Sequence, residues 1–277
     1  MAEAAPRVTK LTGYFMHVEL LVAAADAPAF EARLAAFLNG SRRPFARLDS
    51  AADYELVLAL KTTEPFAFTA SGHGRFTSSE REAASADADP PGASRCRDAR
   101  LGVPMYRYVH LWTVPDQADL DLANIMIRSA DDTPYMQVDA LVSSESQEFV
   151  RLVQRPGYSL LPTNTGKCVR IIRCFPSKHL GAYIFRSGIL LPVLTQQGWV
   201  PCGQFQNVTG KLNTVTEFWQ TENSALDAKS MYDALSAPDD ELRRRVVDDV
   251  QHRLPFSELR ETFEIPDYFK ALGKVAA

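Results

Sequence analysis

Residues 107–132, RYVHLWTVPDQADLDLANIMIRSADD, and residues 214–240, TVTEFWQTENSALDAKSMYDALSAPDD, follow one plan. Each is an alternating stretch ending in Trp, a short polar turn, an amphipathic helical pattern, then Ser-Ala and paired aspartates. Trp112 precedes Asp131 by 19 residues and Trp219 precedes Asp239 by 20. Self-similarity of this kind means that one supersecondary unit is used twice. The 277 residues leave room for two units of roughly 100 to 150 residues.

Periodicity extends the repeat to the whole chain. In the first copy, strands are expected at 14–22, 54–60, 105–114 and 147–153. A helix is expected at 26–38, opening on Asp26 as N-cap with Pro28 in its first turn, and one or two more at 118–142. The second copy reads as strand 168–175, helix 179–197, strand 199–208, a turn at Thr209-Gly210, strand 211–220, helices within 224–253 and strand 256–265. That order, strand, helix, strand, strand, helix, strand, is the ferredoxin-like unit. Two prolines and two glycines in 154–166 mark the linker. The expected architecture is therefore α+β: two tandem ferredoxin-like units, 1–155 and 156–277, closing an intrachain dimeric α/β barrel. Each unit covers one sheet face with helices and needs a partner for the other, so the space between the two bare faces is the expected pocket.

Strand parity nominates its lining. Met16, Val18, Leu20 and Val22 form an apolar row suited to helices, whereas Phe15, His17, Glu19 and Leu21 form a mixed row suited to a pocket. On the third strand the mixed row is Tyr106, Tyr108, His110 and Trp112. The repeat aligns Trp219 with Trp112 and Glu217 with His110, so both copies place an ionisable group at one position. A carboxylate and an imidazole facing one apolar cavity permit proton transfer. The candidate catalytic residues are His110, Glu217, His17 and Tyr108; the candidate substrate contacts are Trp112, Trp219, Tyr106, Phe15, Glu19, Arg170 and Asn213. The competing reading of Glu217 is a buried ion pair with Arg170 or Arg151.

The stretch GKLNTVTEFWQTEN, with the preceding strand GWVPCGQF and a helix containing Gly188, resembles the NIPSNAP pattern, in which a strand carries Leu-Asn, a hydrophobic residue and His-Leu-Trp. YVHLWTVPD in the first half is similar to the same element. The resemblance covers residues 167–265 best and places Glu217 where the family tends to have His. It implies the dimeric α/β barrel superfamily, which includes cofactor-free monooxygenases, lactone isomerases, polyketide cyclases, dehydratases, haem enzymes and non-catalytic proteins.

Composition narrows the chemistry. A net charge of −4 and a pI near 5.8 argue against nucleic-acid and anionic-membrane partners, which require clustered Lys and Arg. The N-terminus lacks the apolar core of a signal peptide, so a cytoplasmic location is expected. Cys96, Cys168, Cys174 and Cys202 contain no C-x-x-C pair and the five histidines are dispersed, so no metal is expected. Nucleotide-binding glycine motifs are missing, and the expected cofactor is none; a haem would need an axial His, for which His179 at a helix start is the candidate. The remaining reagents are His, Glu, Tyr and Arg. They point to general acid–base chemistry on a small hydrophobic, polyketide-like metabolite: a cyclase, isomerase or dehydratase of natural-product biosynthesis. The alternatives are a cofactor-free monooxygenase using Asn213 and Trp219, and a non-catalytic NIPSNAP-type binding protein. A homodimer is compatible with the sequence. Residues 63–104, rich in Ser, Ala, Asp and Pro, interrupt the first copy as an insertion, and Phe66, Phe68 and Phe76 could make it a lid.

Overall fold

The computed structural model describes residues 13–44, 54–67, 102–113, 134–153, 165–236 and 241–272. The strands are β1 (Tyr14–Ala23), β2 (Leu56–Thr62), β3 (Phe66–Ala67), β4 (Pro104–Thr113), β5 (Val142–Leu152), β6 (Lys167–Cys174), β7 (Val200–Asn207), β8 (Thr214–Thr221) and β9 (Ser257–Glu264). The helices are α1 (Ala27–Leu38), α2 (Pro134–Asp139), α3 (Ser177–Arg186), α4 (Leu190–Gln196), α5 (Ala228–Ser236), α6 (Glu241–Asp248) and α7 (Asp267–Lys270). Both halves of the chain therefore show the expected alternation of strands and helices. The expected helix at 118–133, the linker at 154–164 and most of the insertion, with Phe68, Phe76 and His73, lie outside the described residues.

Several boundaries differ from the sequence reading for local reasons. Asp26 precedes α1, but its side chain makes no capping bond; the helix instead closes on Asn39 in the left-handed region, its N–H donating to Ala35 O at 2.8 Å. The single helix expected at 179–197 is broken into α3, a 3₁₀ turn at Ser187–Ile189 and α4. Pro192 has no N–H for the carbonyl of Gly188 four residues back, which favours the break. β5 begins at Val142 rather than 147, because β1 pairs along its polar Ser-Ser-Glu-Ser segment. β8 begins at Thr214 rather than 211: the Thr214 N–H folds back onto Lys211 O at 3.1 Å. Helix α7 was not anticipated.

All the pairings are antiparallel. The order is β1-β5-β7-β8-β6-β9-β2-β4-β3, and β4 also pairs with β1, so the circuit of the eight long strands returns to its start. The two links between early and late strands are short: β5–β7 joins only Val150–Leu152 to Phe205–Asn207, and β2–β9 only Lys61 and Thr62 to Glu264 and Phe263.

Helices cover one face of these strands. In the late half Val169, Ile171, Val215 and Trp219 pack with Tyr183, Leu190, Leu194, Met231, Leu235 and Val250 in one buried cluster. In the early half Phe30 of α1 stacks on Tyr108 at 4.6 Å, and Met16, Val18 and Leu20 stand opposite Trp112, His110 and Tyr108. Directly opposed residues share a face, so these six all lie on the helix-covered side. Each fully buried large aliphatic or Phe side chain contributes roughly 1.5 to 3 kcal/mol, and this layer supplies most of them. The C-terminal α7 returns to the early half, with Tyr268 reaching His110 and Phe269 lying under the Arg42 guanidinium at 4.5 Å.

Gly166 precedes β6 at φ +87°, with its missing Cβ directed at the Thr221 carbonyl, whereas Gly102 at φ +84° has nothing near its Cβ position. By equilibrium denaturation, Gly102→Ala should cost about 1 to 2 kcal/mol for the left-handed backbone, and Gly166→Ala clearly more. Equal losses would remove the argument for a close approach at Gly166.

Candidate functional site

Opposed residues also define the helix-free face. His17 stands opposite Leu111, Glu19 opposite Val109 and Leu21 opposite Arg107 across β1–β4; His17 stands opposite Glu148 across β1–β5; Arg170 stands opposite Phe218 and Glu261 across β6. Here four charged side chains meet from four strands. Arg170 is fully buried and donates from Nη1 to Glu19 at 2.5 Å and from Nη2 to Glu261 at 2.5 Å, with Nε 3.2 Å from the same Glu261 oxygen. Arg107 bonds to Glu261 and lies 3.5 Å from Glu19. Glu19 and Glu261 keep 22% and 18% of their side chains open to solvent, so the network is not sealed.

His17 sits beside it, its Nε2 3.4 Å from Arg170 Nη1 and 4.0 Å from Glu19. Burial, aided by the Arg170 charge and opposed by Glu19, lowers its pKa to about 4, leaving a neutral imidazole near pH 7. Burial alone would raise Glu19, but Arg170 and Arg107 outweigh it and hold the carboxylate at about 2. An apolar wall completes the site: Phe15 meets Phe205 edge-on at 5.3 Å, Phe205 meets Phe218 at 5.9 Å, and Phe218 lies 6.4 Å from His17. The structure therefore brings together His17, Glu19, Phe15 and Arg170 from the sequence reading. It adds Arg107, Glu261, Glu148 and Phe218, which parity alone could have nominated only with the register in hand.

The other candidates lie elsewhere. His110 is on the helix-covered face, its Nε2 2.8 Å from the Tyr268 hydroxyl and its ring edge-on to Trp112; burial lowers its pKa to about 3. Tyr108 donates to Glu31 of α1 at 2.7 Å, and Tyr106 lies under the Lys61 ammonium at 4.2 Å. Glu217 is beneath α3. It accepts from Tyr183 at 2.6 Å, Gln204 at 2.5 Å, Arg173 at 3.1 Å and Trp219 at 3.3 Å. The expectation that His17, Tyr108, His110 and Glu217 share one cavity is corrected: the third-strand mixed row faces α1 and α7, and Glu217 faces α3. The buried ion pair of Glu217 exists, but with Arg173 rather than Arg170 or Arg151; Arg151 bonds Gln206 at 3.0 Å. Asn213 precedes β8 and donates to Ser177 at 3.0 Å, while Trp219 is in the late helix-covered core, so these two do not form a joint site. His179 stands in α3, its Nδ1 3.1 Å from Leu254 O. Phe66 lies 5.2 Å from the Arg107 guanidinium.

No family model matches the chain, and no curated protein aligns with it. Solved structures do resemble it. A candidate monooxygenase from Fusobacterium nucleatum has 7% identity, 91% of each chain covered and a TM-score of 0.50. A second candidate monooxygenase, from Lactobacillus acidophilus, has 9% identity, covering 91% of this chain and 93% of its own, at 0.47. A chlorite dismutase from Candidatus Nitrospira defluvii has 9% identity, 94% of each chain and 0.45. The first likeness shows the fold alone: a mixed α+β chain with a large antiparallel sheet. Among the described residues no helix is long and apolar enough to cross a membrane.

Glu217→Ala leaves Tyr183, Gln204 and Arg173 Nη1 without their buried acceptor, although Arg173 keeps Glu258 at 2.5 Å, so it should cost about 3 to 5 kcal/mol; urea denaturation checks this. His110 supplies a pH test. Its folded pKa, about 3, lies below the ordinary 6.5, so its contribution is complete above pH 6.5 and is lost as pH falls from 6.5 toward 3. His110→Phe should therefore flatten the acid fall in stability by roughly 1.4 kcal/mol per pH unit between pH 6 and 4. An unchanged slope would show that His110 is not held neutral.

Proposed function

We propose that units 1–155 and 156–277 form a dimeric α/β barrel within one chain, and that their helix-free faces hold a site for proton abstraction from a small hydrophobic carbon acid. The pairing circuit supports this reading, since β1 and β4 are brought opposite β6 and β9. The observation that carries it is His17: a neutral, buried imidazole 3.4 Å from a permanently charged guanidinium, next to a phenylalanine wall. A neutral imidazole takes a proton, and a fixed cation offsets the charge that then develops on the substrate.

In the reaction so drawn, a ring or ketone methylene gives its proton to His17 Nε2. The C–H electron pair delocalises onto the adjacent carbonyl oxygen, whose negative charge is offset by Arg170 and Arg107. Return of the proton at another carbon completes an isomerisation; loss of hydroxide completes a dehydration; attack of the carbanion on a second carbonyl completes a cyclisation. Glu19 and Glu261 hold the two guanidiniums in place, and Glu19, held at about 2, is a poor base itself. A polyketide-like aromatic fits the Phe15, Phe205 and Phe218 wall.

A second reading shares the first step. The same carbanion can reduce dioxygen, one oxygen atom entering the ring as a quinone carbonyl and the other leaving as water. The fold neighbour described as a candidate monooxygenase favours it, and His17 with the arginines then replaces the Asn213 and Trp219 pair. The NIPSNAP-like pattern over 167–265 supports a third outcome, ligand binding without turnover.

Anthrone, a tricyclic ketone with an acidic methylene, separates the three. Exchange of its methylene hydrogens in deuterated buffer, followed by NMR without oxygen, should be accelerated by the protein, and His17→Ala should lower that rate roughly 10²-fold. Oxygen uptake matched by anthraquinone would select the oxygenation branch. Binding without exchange would defeat the deprotonation reading.

A further inference from the structure

A buried base works once unless its proton can leave. His17 is 6% exposed and Arg170 not at all, so the imidazolium formed in the first step has no direct path to water. Resting on that deprotonation at His17, we propose that Glu148 is the proton-relay residue of the site, receiving the proton from His17 and releasing it to solvent at the β5–β7 junction.

The geometry points there. His17 and Glu148 are direct antiparallel partners on the helix-free face, a relation that puts Cβ atoms about 4.5 to 5.5 Å apart. Glu148 is half-buried and stands just before the three-pair link between β5 and β7, one of the two short links of the sheet. Asn207 of β7 donates to Glu148 Oε2 at 2.7 Å, and Oε1 occupies the space that a Cβ at residue 210 would take. Gly210 thus leaves room for one carboxylate oxygen while Asn207 fixes the other.

The neighbouring groups favour Glu148 over Glu19 as the acceptor. Around Glu148 are His17 and Glu19 from β1, Arg170 from β6, Asn207 from β7 and Lys211 from the β7–β8 turn. Two guanidiniums hold Glu19 at about 2, so it cannot keep a proton near neutrality. Burial first, then the charge of Glu19, raises Glu148 above the ordinary carboxyl range, with Asn207, Lys211 and Arg170 opposing. The proton therefore runs downhill. With the Glu148 side chain turned from Asn207 toward its cross-strand partner His17, the imidazolium N–H bond breaks as the Glu148 O–H bond forms, and that O–H bond then breaks to water or a buffer base, restoring the carboxylate.

Glu148→Gln keeps the Asn207 bond and removes the relay. In weakly buffered solution it should slow anthrone exchange about 10- to 10²-fold, and added formate should restore most of the rate, which a purely structural residue would not allow. Carboxyl NMR of the wild-type protein should find Glu148 titrating above the ordinary carboxyl midpoint, and Glu19→Gln should bring it down. Unchanged exchange in Glu148→Gln, or a Glu148 midpoint at or below about 4.5, would overturn the relay while leaving deprotonation at His17 standing. Failure of the wild type to exchange anthrone would overturn both.

Discussion

Arg170 is the group on which the arrangement depends. It carries a full charge at zero exposure, a state that costs several kcal/mol in lost hydration unless every donor is matched. Its matches come from both ends of the chain, Glu19 on β1 and Glu261 on β9, and Glu261 is shared with Arg107 on β4. Two cations and two anions from four strands are thus required to coincide. A slip of one residue in β1 or β6 would turn Glu19 or Arg170 to the other face and leave the partners buried without counter-charge. The network fixes how β1 and β4 sit against β6 and β9, where the backbone links are only three and two residue pairs long.

Polar residues on the helix-covered side do a different job. Glu217 stands in the helix-covered layer beside the buried Arg173 and Gln204, and four donors converge on its carboxylate, one of them Tyr183 from α3. An apolar residue there would leave α3 free to slide over Val215 and Trp219; the carboxylate gives it one position. In the early half the equivalent position is His110, whose partner Tyr268 comes from the C-terminal α7. That histidine ties the end of the chain back over its beginning.

The repeat made the strand order legible, because the two Trp-containing stretches marked equivalent places in two copies. The apolar row Met16, Val18, Leu20 and Val22 also identified its face correctly. What the sequence could not supply was register between strands. Polarity alone places His110, with its Tyr and Trp neighbours, in the same kind of row as His17. Across β1–β4, however, His17 opposes Leu111 and Val18 opposes His110, so the two histidines must lie on opposite faces. Aromatic side chains with one polar atom satisfy a helix-packed layer as well as a pocket, and composition cannot separate these cases. Arg107 stands without another Asp, Glu, Lys or Arg on β4, whereas Glu261 is one charge among Glu258, Arg260 and Glu264 on β9; each acquires meaning only through the other. Helix α7 is four residues long and carries no periodic signal.

Register also reveals what the repeat has done with its central positions. If Trp112 and Trp219 are equivalent, so are Leu111 and Phe218, and their cross-strand partners are His17 and Arg170. These two equivalent residues approach to 3.4 Å. In an assembly of two identical subunits the central pair would be two histidines or two arginines, and two buried arginines at that distance would repel strongly. A single chain escapes the constraint, since each copy can vary alone. One copy supplies a neutral imidazole and the other a fixed cation, and the cation helps to keep the imidazole neutral. The asymmetry that the proposed proton abstraction needs, a base beside a charge that receives the resulting anion, thus arises at the point where the internal symmetry would otherwise forbid it.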